Sequence, residues 1–460
     1  MGTLGGWLLL RRHGLWYDEL YTSEVAPLPI GRLVRALISG EGTIPYLQDA
    51  PPSYNAPYYA VAHGWLAVTR LPADEMGLRL PSLLAAIAAV AVFSVAVARL
   101  AGDRRVGAVA GLVTAANPFV VQFAAEARGY SLALLAVAGA ALGFARWLES
   151  GSRGAVAAYG VASAAAGLLH WFALLVPAGF AVAAVVLRRG RGAGRVVLAT
   201  ALAALPALGL VAVAVANGVR DSGAEWIRGA GGAVPRLVLR SWSGRHSALL
   251  AATVLAAAAG LLARARSRRD VRVTALAWFA VPVAAVTAAE AARPVFVDRY
   301  LLPATLGLAA LVALGVTAPK RRPLAAAAAA VVLGASLAAT AADVKVGPKD
   351  DVRSAMALVA AQQRPGEPVV AAARWDALGV DHYAGRLRPD LVLPPAPVPD
   401  APALWVVRRA AGGVKGDAAR LDDLDRELAG RGLTVARERR FDGRYADVVV
   451  QRWERSSLGG

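Results

Sequence analysis

Long uncharged runs recur along the first three quarters of the chain, separated by short charged clusters. There are 19 uncharged residues between Arg79 and Arg99, 20 between Arg105 and Glu126, 17 between Arg128 and Arg146, and 34 between Arg153 and Arg188. The series continues with 24 between Arg195 and Arg220, 18 between Arg245 and Arg264, 17 between Arg272 and Glu290, 20 between Arg299 and Lys320, and 20 between Arg322 and Asp343. A bilayer core about 30 Å thick needs roughly 20 apolar residues as helix, so these runs have spanning length. The 34-residue run fits a hairpin of two spans turning near His170-Trp171. The pattern predicts ten spans before the N-terminus is considered.

Composition agrees with that reading and changes the meaning of the charge. The 460 residues are 57% hydrophobic, and their net charge of +18 would suggest a polyanion as partner in a soluble protein. A mean hydropathy of +0.49 exceeds what a soluble core requires. On alternate loops, Arg99/Arg104/Arg105, Arg146/Arg153, Arg188/Arg189/Arg191/Arg195, Arg264/Arg266/Arg268/Arg269/Arg272 and Lys320/Arg321/Arg322 hold 17 basic residues. Only Asp103, Glu149 and Asp270 oppose them, an excess of 14 that accounts for most of the +18. This is the positive-inside pattern; it places these loops in the cytoplasm and removes the main support for nucleic-acid binding. The absence of cysteine excludes disulfides and thiolate metal sites.

The other 12 acids before Asp343 fall on the opposite side: Asp18, Glu19, Glu24, Glu41, Asp49, Asp74, Glu75, Glu126, Asp221, Glu225, Glu290 and Asp298. Most are expected to be solvated loop charges. A few, beside Arg128 and Arg299, are placed to build a polar site at the outer membrane surface.

Residues 1–79 do not read as an ordinary first span. Met1 to Leu10 offers about ten apolar residues, roughly 15 Å of helix, so a first helix is expected to begin upstream and to be truncated here. A cleavable signal peptide fits worse, because no basic segment precedes the apolar run. In the outer loop that follows, 13–79, Ile30, Leu33, Val34, Leu37 and Ile38 follow helical spacing with Arg32 and Arg35 on the other face, which predicts an interfacial helix. Ala56 to Thr69 is uncharged but only 14 residues long, and predicts a second interfacial or re-entrant helix after Pro51, Pro52 and Pro57.

From Asp343 the composition changes. The last 118 residues carry 19 Lys+Arg against 17 Asp+Glu and have no spanning run. Helices are predicted over 350–363 and 418–429, and strands over 368–373, 403–408, 433–441 and 445–453, with a proline-rich loop at 394–402. The expected architecture is a membrane domain over 1–345 and a small extracytoplasmic α/β domain over 346–460.

Several polar groups sit where chemistry is possible. In Leu15-Trp16-Tyr17-Asp18-Glu19, a carboxylate pair with aromatic flanks lies at an apolar-polar boundary, suited to taking a proton from a hydroxyl nucleophile. The bland alternative is a helix cap or a solvated loop end. Glu126-Ala127-Arg128-Gly129-Tyr130 joins two spans, and charges at membrane depth are costly unless paired with each other or with a ligand. The planar fork of Arg suits a phosphate; a structural Glu126 to Arg128 ion pair is the competing reading. His170 and His63 read alone as interfacial residues, and Asp298-Arg299-Tyr300 as a snorkelling pair. Glu225-Trp226 and Arg245-His246 share one outer loop. No Walker motif, metal-ligand spacing, nucleophile elbow or dinucleotide fingerprint is present in a supportive context.

Taken in order, Trp16-Tyr17-Asp18-Glu19, Pro51-Pro52-Ser53-Tyr54, Arg79-Leu80-Pro81-Ser82, Glu126-Ala127-Arg128-Gly129-Tyr130, His170-Trp171 and Arg299-Tyr300-Leu301-Leu302-Pro303 resemble the motif series of the GT-C glycosyltransferases. The branch they look most like is the protein O-mannosyltransferases and aminoarabinose transferases, of the family 39 type. The likeness covers about residues 10–345. It implies a GT-C fold with about 11 transmembrane helices and interfacial helices in the first outer loop. It further implies a polyprenyl phosphate sugar donor, with mannose favoured, used with inversion on the outer face of a multi-pass membrane protein. By the resemblance, Asp18 is the general base with Glu19 as its neighbour. Arg128 and Arg299 bind the donor phosphate, supported by Tyr300 and His170. Glu126, Tyr130, Tyr54 and Glu225 contact sugar or acceptor. Some members bind a divalent cation, but no ligand set is assignable here from Glu126, His63 and His170. The acceptor class, protein, glycolipid or cell-wall glycan, stays open. Two other classes compete: a lipid transporter or flippase, which wants ionisable residues at mid-membrane and finds none, and a non-catalytic assembly factor.

Overall fold

The computed structural model describes residues 13–39, 41–43, 56–188, 191–216, 227, 229–262, 268–344, 347–410 and 417–455. In chain order the described helices are α1 (Tyr17–Val25), α2 (Ile30–Ser39), α3 (Ala56–Thr69), α4 (Glu75–Ala101), α5 (Arg104–Ala116), α6 (Pro118–Ala124), α7 (Tyr130–Ser150), α8 (Arg153–Leu169), α9 (Leu175–Leu187) and α10 (Arg191–Ala216). They continue with α11 (Val234–Trp242), α12 (Ser247–Leu262), α13 (Arg269–Ala292), α14 (Thr305–Val316) and α15 (Arg322–Val344). The last part carries α16 (Val352–Gln362), β1 (Val369–Ala371), α17 (Asp376–His382), β2 (Leu391–Val392), β3 (Ala403–Ala410), α18 (Asp417–Gly430), β4 (Leu433–Phe441) and β5 (Asp447–Arg455). These form two compact units. One gathers the described residues of Arg79–Val213 and Ile227–Lys345, and the other those of Leu9–Leu78, Ala214–Trp226 and Val346–Gly460.

Among the described residues, six helices are long and apolar enough to cross a membrane: Glu75–Ala101, Tyr130–Ser150, Gly192–Val213, Arg269–Ala292, Asp298–Val316 and Arg322–Val344. The count rises to eight if each of two bent pairs is one span. This is fewer than the 11 expected, and the shortfall has identifiable causes. The 34-residue run folds as two segments of 17 residues, Arg153–Leu169 and Trp171–Leu187, each about 25 Å long and at the short end of the length a crossing needs. The run after Arg105 breaks by 67° at Asn117-Pro118, because proline cannot continue α5 and instead starts α6 at its first position. Gly231–Trp242 and α12 meet at 108°. The expected N-terminal helix lies outside the described residues.

Within the helical unit, α14 is buried along its whole length. Its neighbours approach it through glycine. A Cβ on Gly315 would stand 1.8 Å from the Ala256 carbonyl oxygen, and one on Gly260 would stand 2.3 Å from that of Leu311, so α12 and α14 touch backbone to backbone. Gly307 meets α13 in the same way at Ala275, and Gly179 of α9 meets it at Ala277. Close approach of this kind is how helices gain van der Waals contact where lipid removes the hydrophobic drive between them. Leu198, Leu202, Leu205 and Leu208 of α10 and Leu324, Val331 and Leu337 of α15 are exposed, as lipid-facing side chains would be.

The second unit contains a five-stranded sheet in the order β2-β1-β3-β5-β4. β1 pairs in parallel with β2 and β3, and β5 pairs antiparallel with β3 and β4, so a βαβ-type half is closed by a hairpin. One face packs Trp405, Val407, Val448 and Val450 on α16, while the other packs Leu404, Val406 and Trp453 on α18. The predicted helices and strands appear close to their expected bounds, and α17 and β2 are additions. In α2 the predicted apolar face divides: Leu33 and Leu37 are buried, whereas Ile30, Val34 and Ile38 are exposed.

Gly315→Val tests the backbone contact between α12 and α14. Overpacking of this kind costs typically about 1–3 kcal/mol. The purified variant should melt several degrees below the parent, while Gly334→Val, where a Cβ meets nothing, should leave the melting temperature unchanged.

Candidate active site

In the helical unit the polar site begins with the break after α5. Asn117 is buried; its Oδ1 accepts from the N–H groups of Phe119 and Val120, capping α6, and its Nδ2 donates to the Trp242 carbonyl at 2.9 Å. The short helix ends after one further turn. Ala125 to Gly129 then carries Glu126 and Arg128, both buried, into the protein. This loop is held by its own backbone: Arg128 N–H donates to Glu126 O at 2.7 Å, and the Arg128 carbonyl accepts from Ser82 Oγ at 3.4 Å. Ser131 Oγ reaches back to the carbonyls of Phe123 and Ala124, satisfying the end of α6.

Residues 298–304, a 3-10 turn leading into α14, supply the second cation. Asp298 fixes the turn, with Oδ1 accepting from the Arg299 N–H at 2.7 Å and Oδ2 from Ser241 Oγ at 2.9 Å. Arg299 Nε donates to the Tyr130 hydroxyl at 2.9 Å, which orients the guanidinium. Aromatic contacts complete the cluster. Tyr300 lies 5.1 Å from His170 and 4.9 Å from Phe172, and His170 lies 5.6 Å from Tyr130.

His170 sits in the connection between α8 and the turn at Trp171, outside both helices, and its Nδ1 is buried with no hydrogen-bond partner among the described residues. Burial, followed by the positive charges of Arg299 and Arg128, pushes its pKa down to about 3. The ring is therefore neutral, and the cluster's positive potential comes from two guanidinium groups. Such an arrangement is complementary to an anion with several oxygens.

The first-loop acids belong to the other unit. Trp16 precedes α1 in an extended conformation, and Glu19 is buried, its carboxylate accepting from the Trp16 N–H at 3.3 Å. That is the helix-cap role weighed for this pair from sequence. Asp18, one residue earlier, is only partly buried. His63 holds the Ala26 carbonyl through Nδ1 at 3.0 Å.

The structure thus brings Arg128, Arg299, Tyr130, Tyr300, His170 and Glu126 into one unit and Asp18 and Glu19 into the other. Tyr54 and Glu225 lie outside the described residues. Among those described, no group of three or more His, Asp or Glu is arranged to hold a metal ion. The cap Asn117 and the strut Ser241 carry no chemistry-bearing signature of their own, and sequence reasoning gave them no role.

The described helices define a polytopic membrane protein, and its fold is shared by several solved structures. Solved structures with the same fold include ArnT from Cupriavidus metallidurans in the apo state, at 14% identity over 96% of this chain and 94% of that one, with a TM-score of 0.56. The same protein bound to undecaprenyl phosphate matches at 13% identity over 100% and 98%, with a TM-score of 0.57. The archaeal oligosaccharyltransferase AglB from Archaeoglobus fulgidus, in complex with an inhibitory peptide and a dolichol-phosphate, matches at 11% identity over 84% of this chain and 61% of that one, with a TM-score of 0.52. No family model matches the chain, and no curated protein matches it either.

Asn117→Ala removes the cap of α6 and leaves the Trp242 carbonyl without that donor. A lost cap costs about 0.5–2 kcal/mol, and a buried orphan carbonyl adds to it. The expected result is a clear drop in melting temperature, larger than for Ser152→Ala, whose cap on α8 is exposed.

Proposed function

We propose that the protein is a membrane glycosyltransferase that moves a sugar from a polyprenyl phosphate donor to a hydroxyl acceptor, with inversion. Asp18 takes the acceptor hydroxyl proton as that oxygen attacks the anomeric carbon, and the bond from that carbon to the phosphate oxygen breaks. Polyprenyl phosphate leaves without needing a general acid, because its charge is met by Arg128 and Arg299. Tyr130 orients Arg299, while Tyr300 and the neutral His170 line the phosphate position and Glu126 contacts the sugar. Mannose is the favoured sugar, and the reaction takes place on the outer face of the cell membrane, a reading supported by the basic excess of the alternate loops.

The observation that carries this reading is the Arg299 guanidinium, held by Tyr130, whose ring lies beside His170, at the end of spanning helices. Support comes from the GT-C fold and from the lipid phosphates named for two proteins that share it. An anion site at membrane depth, fed by two arginines, is unneeded in an assembly factor.

Purified protein given a polyprenyl phosphate mannose and an acceptor extract should release polyprenyl phosphate. Asp18→Asn should lower kcat by at least a hundredfold with little change in KM for the donor. Equal turnover in that variant would remove the base assignment. Arg299→Lys keeps the charge but loses the donor that meets Tyr130. It should raise KM for the lipid donor about tenfold, since a hydrogen bond to a charged group is worth about 1.5–3 kcal/mol.

A further inference from the structure

The segment leading into Asp18 is gripped residue by residue from the C-terminal part of its own unit. Leu15 N–H donates to the Tyr383 hydroxyl at 2.6 Å, and that hydroxyl donates to Glu75 Oε1 at 3.1 Å. Gly14 passes so close that a Cβ there would stand 2.9 Å from Arg353 Cβ and 3.1 Å from the same hydroxyl. The Trp16 ring stacks on Tyr445 with centroids 5.5 Å apart, and Lys349 Nζ lies 4.1 Å from the Trp16 centroid. The hairpin residues Arg444 and Tyr445 hold this lysine's place by donating to the carbonyls of Pro348 and Lys349 at 2.8 Å. Tyr17 N–H donates to Asp350 Oδ2 at 3.4 Å, and the Arg409 guanidinium carbon lies 4.5 Å from the Tyr17 ring centroid.

Beneath Tyr17 is an ion cluster that the reaction itself does not use. Arg409 pairs with Asp376 at 3.1 Å and with Asp350 at 3.6 Å, and both carboxylates are buried. Asp350 Oδ1 and Asp376 Oδ2 find no hydrogen-bond partner among the described residues, so each acid holds the cluster through one oxygen. A buried pair of this kind adds little net stability over apolar packing of the same volume, because desolvation offsets its attraction. What it supplies is a fixed direction for the groups it touches, here the ring and the N–H of the residue before Asp18.

We propose that Arg409, Asp350 and Tyr383 are positioning residues for Asp18: they fix the backbone of Leu15 to Tyr17, and so set the direction in which the Asp18 carboxylate leaves the start of α1. The C-terminal sheet domain is then a part of the transferase machinery. This rests on the reading of Asp18 as the general base. A displacement of about 1 Å at a reacting group costs up to a hundredfold in rate, so loosening the grip reduces kcat without touching donor binding.

The test uses the full chain in lipid nanodiscs with polyprenyl phosphate mannose. Tyr383→Phe and Arg409→Gln should lower kcat roughly ten- to a hundredfold with KM for the donor within twofold, and Arg409→Lys should recover part of the loss. Burial, against the opposing pull of Arg409, raises the Asp350 carboxyl to about 6; Tyr17 N–H and Lys349 pull it down, Glu19 pushes it up, and Asp376 faces it across Arg409. As pH falls through about 6, Asp350 takes a proton and ceases to balance Arg409. Parent kcat should therefore drop over that limb, and Asp350→Asn should lack it. A second readout needs no activity. The chain has no cysteine, so Asp18→Cys gives a single thiol, whose maleimide labelling rate should rise several-fold when Tyr383→Phe is added. Unchanged kcat together with unchanged labelling in folded Tyr383→Phe overturns the proposal, and this mild variant carries the test if Arg409→Gln fails to fold. Absence of turnover in the parent sinks the transferase reading alone, and labelling then decides the positioning.

Discussion

The cost of placing charge in hydrocarbon organises this molecule. An ionised side chain at mid-membrane has no water to solvate it, so charge is retained only at helix ends or where burial is matched by partners. The uncharged runs of the sequence express the first part of that constraint. The second part appears where the runs break. At Asn117-Pro118 and in the turn at 298–304 the chain leaves regular helix, and there the buried Arg128 and the held Arg299 are found. Irregular backbone at membrane depth must have its polar groups met by protein. Asn117, Ser131, Asp298 and Ser241 do so, and the same hydrogen bonds that permit the breaks also aim the arginines.

A different solution holds the helices together. Where apolar packing against lipid and against protein are nearly equal in energy, proximity decides, and the glycines of α12, α14, α13 and α9 allow backbone contact. The soluble sheet relies on an ordinary two-faced core, with Trp405 on one side and Trp453 on the other. Among its buried charges, the Arg409 cluster faces Tyr17.

Periodicity and charge made the membrane architecture and most of the C-terminal elements legible in the sequence. Spanning helices announce themselves by length, and β4 has the bounds expected of it, Leu433–Phe441. The number of crossings was overread, since a count of uncharged residues does not register a bend such as that at Pro118, whereas the turn at His170-Trp171 was read from the length of its run. Arg128 and Arg299 were legible because a cation flanking an apolar run is conspicuous. Arg409, Asp350 and Tyr383 were not, because in a tail with balanced charge nothing local distinguishes them, and their meaning arises only when residues over 300 positions apart are brought together. Glu19 was visible as one of a pair, but only the fold separates its capping contact with Trp16 from the exposure of Asp18.

Asn117 bonds at once to the start of α6 and to the last residue of α11, the two short helices at which the bent pairs turn. A single amide therefore works as a hinge pin common to both breaks. Reorienting either α6 or α11 therefore strains the hydrogen bond that joins them, which couples the loop bearing Arg128 to the Ser241 strut that holds Asp298 beside Arg299.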